Sequence, residues 1–174
     1  MILEFIAALT SGVALMGVLM LVNRLSGRRM AGWVFPAAVG LGMLSYSIWS
    51  EYSWAGRAIT PGSGYVEATR HHNSFWYRPW TYLWPQVNRI IALDDRFTRT
   101  HPDQPQLIMS RVVRMERWIP ESSYLAVFDC EAGAQAPMID GVELMADGTV
   151  AGAEWVPLPA DDPILRRACA LREG

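Results

Sequence analysis

The chain has 174 residues, room for one ordinary domain and a small extra module. Its net charge of −2 and pI near 5.9 speak against nucleic-acid binding. These averages hide a split: residues 5–22 and 30–50 hold no charged residue, and almost every charge follows from Glu51 onward.

Stretches of about 20 uncharged, apolar residues match the hydrocarbon thickness of a bilayer. Two transmembrane helices are therefore expected, over residues 2–22 and 30–49 of a hairpin at 1–50, with Pro36 tolerated near the start of the second. The first stretch has Glu4 and no Arg in its opening residues and no small-residue cleavage site. It reads as a retained helix and not a signal peptide. Ala8 and Gly12 in one helix, and Ala38 and Gly42 in the other, give small-xxx-small faces through which the helices can pack. Arg24, Arg28 and Arg29 make the connection a cytoplasmic turn, because positive loops stay inside. Both termini then face outward. All 15 basic residues are arginine beside much Ala, Gly and Pro, a GC-rich coding bias that points to a bacterium. The expected address is the inner membrane, with the C-terminal part in the periplasm.

Residues 51–86 read as an aromatic-rich interfacial segment. Tyr46, Trp49, Tyr52 and Trp54 surround the end of the second helix, where amphipathic rings favour the headgroup layer. Phe75, Trp76, Tyr77, Trp80, Tyr82 and Trp84 crowd ten residues, with Pro79 and Pro85 breaking any long helix. This second group lies on the membrane surface or packs on the following domain, with Trp76, Trp80 and Trp84 not all turned into its core. Thr60 to Tyr65 reads as a loop.

Residues 87–174 read as an extracytoplasmic β-rich domain. Strands are expected over Val87–Arg99, Leu107–Ile119 and Tyr124–Glu131, with turns at His101–Pro105 and Pro120–Ser123. Met138–Met145 and Thr149–Val156 flank Asp147-Gly148, a hairpin signal. Asp162 as N-cap and Pro163 as first helical residue open a short helix with Ile164, Leu165, Ala168 and Cys169 on one face. The fold class is a membrane-anchored α+β protein: two N-terminal helices, then a small antiparallel sheet with a C-terminal helix.

Cys130 ends a strand and Cys169 lies on the last helix, both in the part assigned to an oxidising compartment. A bridge would pin the helix to the sheet; a redox pair would need closer cysteines such as CxxC. The order of Tyr124–Cys130, the Asp147-Gly148 turn, Trp155, a Pro-containing turn and Ala168-Cys169 resembles the C-terminal half of surface-adhesin protein E-like domains. That resemblance covers Leu107 to Cys169 and implies an antiparallel sheet tied to a helix by a disulfide. The membrane helices and the Trp-rich segment depart from the family's secreted or lipid-anchored form, and no adhesive motif carries over.

Sites of chemistry are not legible. His71-His72 with remote His101 lacks a second ligand pair for zinc. There is no GxSxG nucleophile, and Gly62-Ser63-Gly64 is not followed by a P-loop Lys. Asp94-Asp95 and Asp161-Asp162 read as caps and solvated charges. Neither helix carries an ionisable residue at its centre, as an ion pathway would require. Glu51–Trp118 holds nine Arg and six acids, and Ile119–Gly174 three Arg and ten acids, so the basic half either meets anionic lipid or pairs with the acidic half. The expectation is a non-enzymatic protein without cofactor or metal, an accessory or scaffolding subunit with the bilayer and a membrane protein as partners. The rival is a membrane-anchored ligand-binding or adhesive module.

Overall fold

The computed structural model describes residues 2–139, 142–145 and 148–172. Two compact units emerge, Met1–Trp54 and Ala55–Gly174.

The first unit is built on helix α1 (Ile2–Leu25) and most of helix α2 (Val34–Ala58). Close approach at glycines joins the two helices. A Cβ on Gly12 would lie 3.0 Å from Met43 Cγ and 3.1 Å from Val39 Cγ1, and one on Gly42 would lie 3.2 Å from Leu15 Cδ2. Ser11 Oγ also donates to the Gly42 carbonyl at 3.4 Å. The spacing of small residues thus marks a helix–helix contact, with Ala38 buried beside it. The connection turns through Gly27 and Arg28 in the left-handed region (φ 75° and 58°), and Asn23 Oδ1 accepts the Met30 N–H at 3.0 Å.

Two expectations need correction here. The second helix starts at Val34 and not Met30, because residues 26–33 form the turn; it then runs on past Trp49 through Glu51 to Ala58. Among the described residues, only α1 is long and apolar enough to cross a membrane. Ser45, Ser47, Ser50, Ser53 and Glu51 lower the hydropathy of α2 below that of a self-sufficient span. The outer surface of α1 stays exposed at Ile2, Leu3, Phe5, Val13 and Leu21.

The second unit is α+β. Strands β1 (Tyr65–Asn73), β2 (Gln86–His101), β3 (Gln104–Glu116), β4 (Ile119–Asp129) and β5 (Ala134–Pro137) follow one another as an antiparallel meander. The short strands β6 (Glu143–Leu144) and β7 (Val150–Ala151) pair separately, and β8 (Val156–Pro157) adds to β5 at the sheet edge. Helix α3 (Pro163–Ala170) follows β8. It lies across β1 to β4 and packs Leu165 and Ala168 on Leu93, Val112, Ala126 and Phe128. These alternate positions share one face of the pleat. Ile90, Ala92, Val113, Val127 and Ala136, on the opposite face, are buried as well.

The sheet is curled. Between Asp94 and Arg99, β2 advances five residues while its partner β3 moves only from Arg111 to Met109. Such bulges bend a strand and increase its twist. The curl brings the Tyr65 hydroxyl on β1 within 3.4 Å of Glu121 on β4, although β2 and β3 lie between them in the sheet order.

The expected strands over Val87–Arg99, Leu107–Ile119 and Tyr124–Glu131 correspond to β2, β3 and β4, but the turn before β4 is displaced. It is the two-residue Arg117-Trp118 turn, with Glu116 facing Ile119, and Pro120–Ser123 lies inside β4. β1 falls in the segment expected to be interfacial, and β5 in the Gly/Ala-rich stretch that follows the third expected strand and for which no element was expected. Asp147 of the expected hairpin lies outside the described residues. Its flanks do pair, with Met145 N–H on the Thr149 carbonyl at 2.8 Å.

Cys130 and Cys169 form a disulfide, with their Cα atoms 5.8 Å apart and a sequence separation of 39. Asp162 caps α3 as expected: its Oδ1 accepts the N–H groups of Ile164 at 2.9 Å and Leu165 at 3.0 Å.

Candidate functional site

The register places two connections side by side. Asn73 faces Gln86, Arg89 faces Glu116, and Glu116 faces Ile119. The loop between β1 and β2 and the turn between β3 and β4 therefore share one end of the curled sheet.

The β1–β2 loop is ordered by one buried side chain. Thr81 Oγ1 accepts the Phe75 N–H at 2.8 Å and donates to the Arg78 carbonyl at 2.7 Å. Ser74 Oγ donates to the Thr81 carbonyl at 2.9 Å. Phe75 and Arg78 form a bridge, and Pro79 opens a 3-10 turn over Pro79–Tyr82. Proline suits that position, since its fixed φ matches the turn and its missing N–H would be unpaired there.

This scaffold holds large side chains outward. Trp76 is 83% exposed, and Tyr77, Tyr82, Leu83 and Trp84 are also exposed; Trp80 is half-buried. So Trp76, Trp80 and Trp84 do not all enter the core. Across the gap, Trp118 is 50% exposed and Ile119 beside it is exposed. Arg78 lies over the Tyr77 ring at 5.6 Å and Arg117 over the Trp118 ring at 4.5 Å. Behind them, the guanidiniums of Arg89 and Arg114 share Glu116 Oε1 at 2.5 and 3.0 Å. Sequence reasoning found the first aromatic group by its density. It missed Trp118, because nothing in Arg117-Trp118 announces a tight turn.

In the first unit, Trp49 and Tyr52 are exposed, Tyr46 is half-buried, and Trp54 is buried. Only the first three present ring surface outward. Arg24 lies in the last turn of α1, and Arg28 and Arg29 in the connection that follows.

A second feature lies at the opposite end of the sheet. A pocket of about 100 Å3 is lined by Leu107, Met109, Val127 and Leu144, with Arg99 and His101 among its walls. Gly148 closes it with φ +81°, and a Cβ there would come within 2.7 Å of the His101 ring. The lining is apolar, with room for a small aliphatic group.

The bulge in β2 holds an ion pair between a buried carboxylate and an exposed guanidinium. Asp94 is 1% exposed and receives Arg96 Nε at 2.8 Å and Nη2 at 3.0 Å. These hydrogen bonds, helped by the charges of Arg96 and Arg111, outweigh burial and hold the carboxyl below its usual range. Arg96 also lies over the Tyr65 ring at 5.2 Å, and Arg111 over Phe97 at 3.5 Å. Asp95 is exposed, so the two acids occupy different environments with no cleft between them. This pair is a structural device that fixes the bulge.

His71 and His72 lie exposed at the end of edge strand β1, with a register shift between them. Among the described residues, no three His, Cys, Asp or Glu side chains converge as metal ligands. No protein-family model, curated protein or solved structure matches the chain.

Proposed function

We propose that this chain is a non-catalytic bacterial inner-membrane protein, an accessory or scaffolding subunit of a membrane complex, with its disulfide-pinned α+β unit in the periplasm. The observation that carries the reading is the exposed apolar surface of α1, joined to α2 through Gly12 and Gly42. That surface has a favourable solvent in lipid and none in water. On this reading α2, too polar to qualify as a span by itself, crosses beside α1 through their contact at Gly12 and Gly42. It lacks charge from Val34 to Ser50, 17 residues that extend roughly 25 Å, at the short end of the range for a span. Glu51 and Arg57 then emerge outside, with Tyr46, Trp49 and Tyr52 near the headgroups. The Arg24, Arg28 and Arg29 turn stays cytoplasmic and both termini face the periplasm. The Cys130–Cys169 bridge fits an oxidising compartment.

Purification from membranes in mild detergent tests the role. An accessory subunit brings partner proteins in fixed stoichiometry. A chain that purifies alone, from membranes that retain their other complexes, contradicts it. The second reading is a membrane-anchored ligand-binding or adhesive module, in keeping with the resemblance to the surface-adhesin protein E-like domains. The apolar pocket beside His101 favours it. A Val127→Trp variant that fills the pocket and lowers ligand affinity or adhesion, without loss of partners, would select it.

A further inference from the structure

We propose that the aromatic end of the curled sheet is a docking surface for an anionic phospholipid bilayer, formed jointly by the β1–β2 loop and the β3–β4 turn. The inference rests on the membrane reading above and assigns the second unit a lipid contact of its own.

Two loops distant in sequence present one kind of surface. Trp76, Tyr77, Tyr82 and Leu83 project from one, Trp118 and Ile119 from the other. Rings with a polar edge and an apolar body favour the headgroup layer over both water and hydrocarbon. Residues 74–89 and 114–119 also hold four arginines, Arg78, Arg89, Arg114 and Arg117, and one acid, Glu116. Guanidiniums attract the phosphates of anionic lipids and bind them in a fork geometry. Arg78 and Arg117 each lie over an exposed ring, so charge and aromatic surface sit at the same level.

The backbone supports the assignment. Trp118 takes φ +72°, a conformation that bulky residues rarely adopt. The two-residue turn fixes that backbone and holds the ring outward at its tip. Around Thr81, hydrogen bonds give the larger loop a fixed shape, so its rings dock without first being ordered.

The test uses the full chain in vesicles containing phosphatidylcholine brominated near the headgroup, with or without an equal part of phosphatidylglycerol. Tryptophan quenching is compared between wild type and Trp76→Phe/Trp118→Phe, which removes two reporters and keeps aromatic bulk. The expected result is excess quenching in wild type with phosphatidylglycerol. That excess should fall in pure phosphatidylcholine and in an Arg78→Gln/Arg117→Gln variant. Equal quenching of wild type and the Phe variant, in protein that floats with the vesicles after alkaline washing, overturns the docking surface and leaves the membrane anchor standing. Protein that alkaline washing removes, yet that shows the lipid-dependent excess before washing, overturns the anchor and leaves the docking surface standing.

Discussion

Thr81 accepts the amide N–H of Phe75 at 2.8 Å while itself fully buried, and this bond ties the start of the aromatic loop to its 3-10 turn. Thr81→Val keeps the shape and removes the hydroxyl, leaving the Phe75 N–H without its acceptor. An unsatisfied buried donor costs about 1–3 kcal/mol. Thermal unfolding should show the loss, and amide exchange should quicken over residues 74–85 before it does in β3 and β4. Exchange that rises uniformly would contradict a local role.

The pH dependence should carry the signature of Asp94. Its carboxyl titrates lower in the folded protein than in the unfolded chain, first through the Arg96 hydrogen bond. The resulting stability is complete above the unfolded carboxyl value, about 3.9. It is lost as pH falls through the lower folded value. Asp94→Asn should lower the melting temperature at neutral pH and flatten its fall in acid. An unchanged acid limb in that variant would show that other carboxylates govern it.

How much of this was legible in the sequence follows from what each element depends on. Asp162-Pro163 specified the start of α3 by local hydrogen bonding, and the structure keeps that cap. Residues 87–129 were readable as strands because their alternation serves a buried sheet. β1 was hidden: Glu67, Arg70, His71 and His72 suit an edge strand and look like a polar loop. The turn before β4 was misplaced because Pro120 draws attention, whereas the chain reverses through the left-handed φ of Trp118. The aromatic end arises from register between distant segments, and so only half of it could be read in advance.

Cys169→Ser should release α3. Eight residues are too few for a helix to be stable alone in water. The bridge removes unfolded conformations across a separation of 39 residues, a contribution of about 3–4 kcal/mol. The variant should melt on the order of 10–20 °C lower. Leu93, Val112 and Phe128 should become accessible to a hydrophobic dye. A change under a few degrees would mean that the packing of Leu165 and Ala168 suffices.

The topology can be read with reporters. On the proposed topology, with the Arg24, Arg28 and Arg29 turn inside, alkaline phosphatase fused after Gly174 should be active and a cytoplasmic fluorescent reporter there dark. Replacing all three arginines with glutamate should weaken or invert that pattern. A bright fluorescent fusion in the wild type would place the second unit in the cytoplasm.

The most direct test of the account is non-reducing mass spectrometry of the chain taken from an alkali-washed membrane pellet. The account predicts full-length protein in the pellet, with the peptides containing Cys130 and Cys169 joined by a disulfide. Two free thiols, or protein recovered in the wash, would contradict a membrane-anchored chain whose folded unit lies in the periplasm.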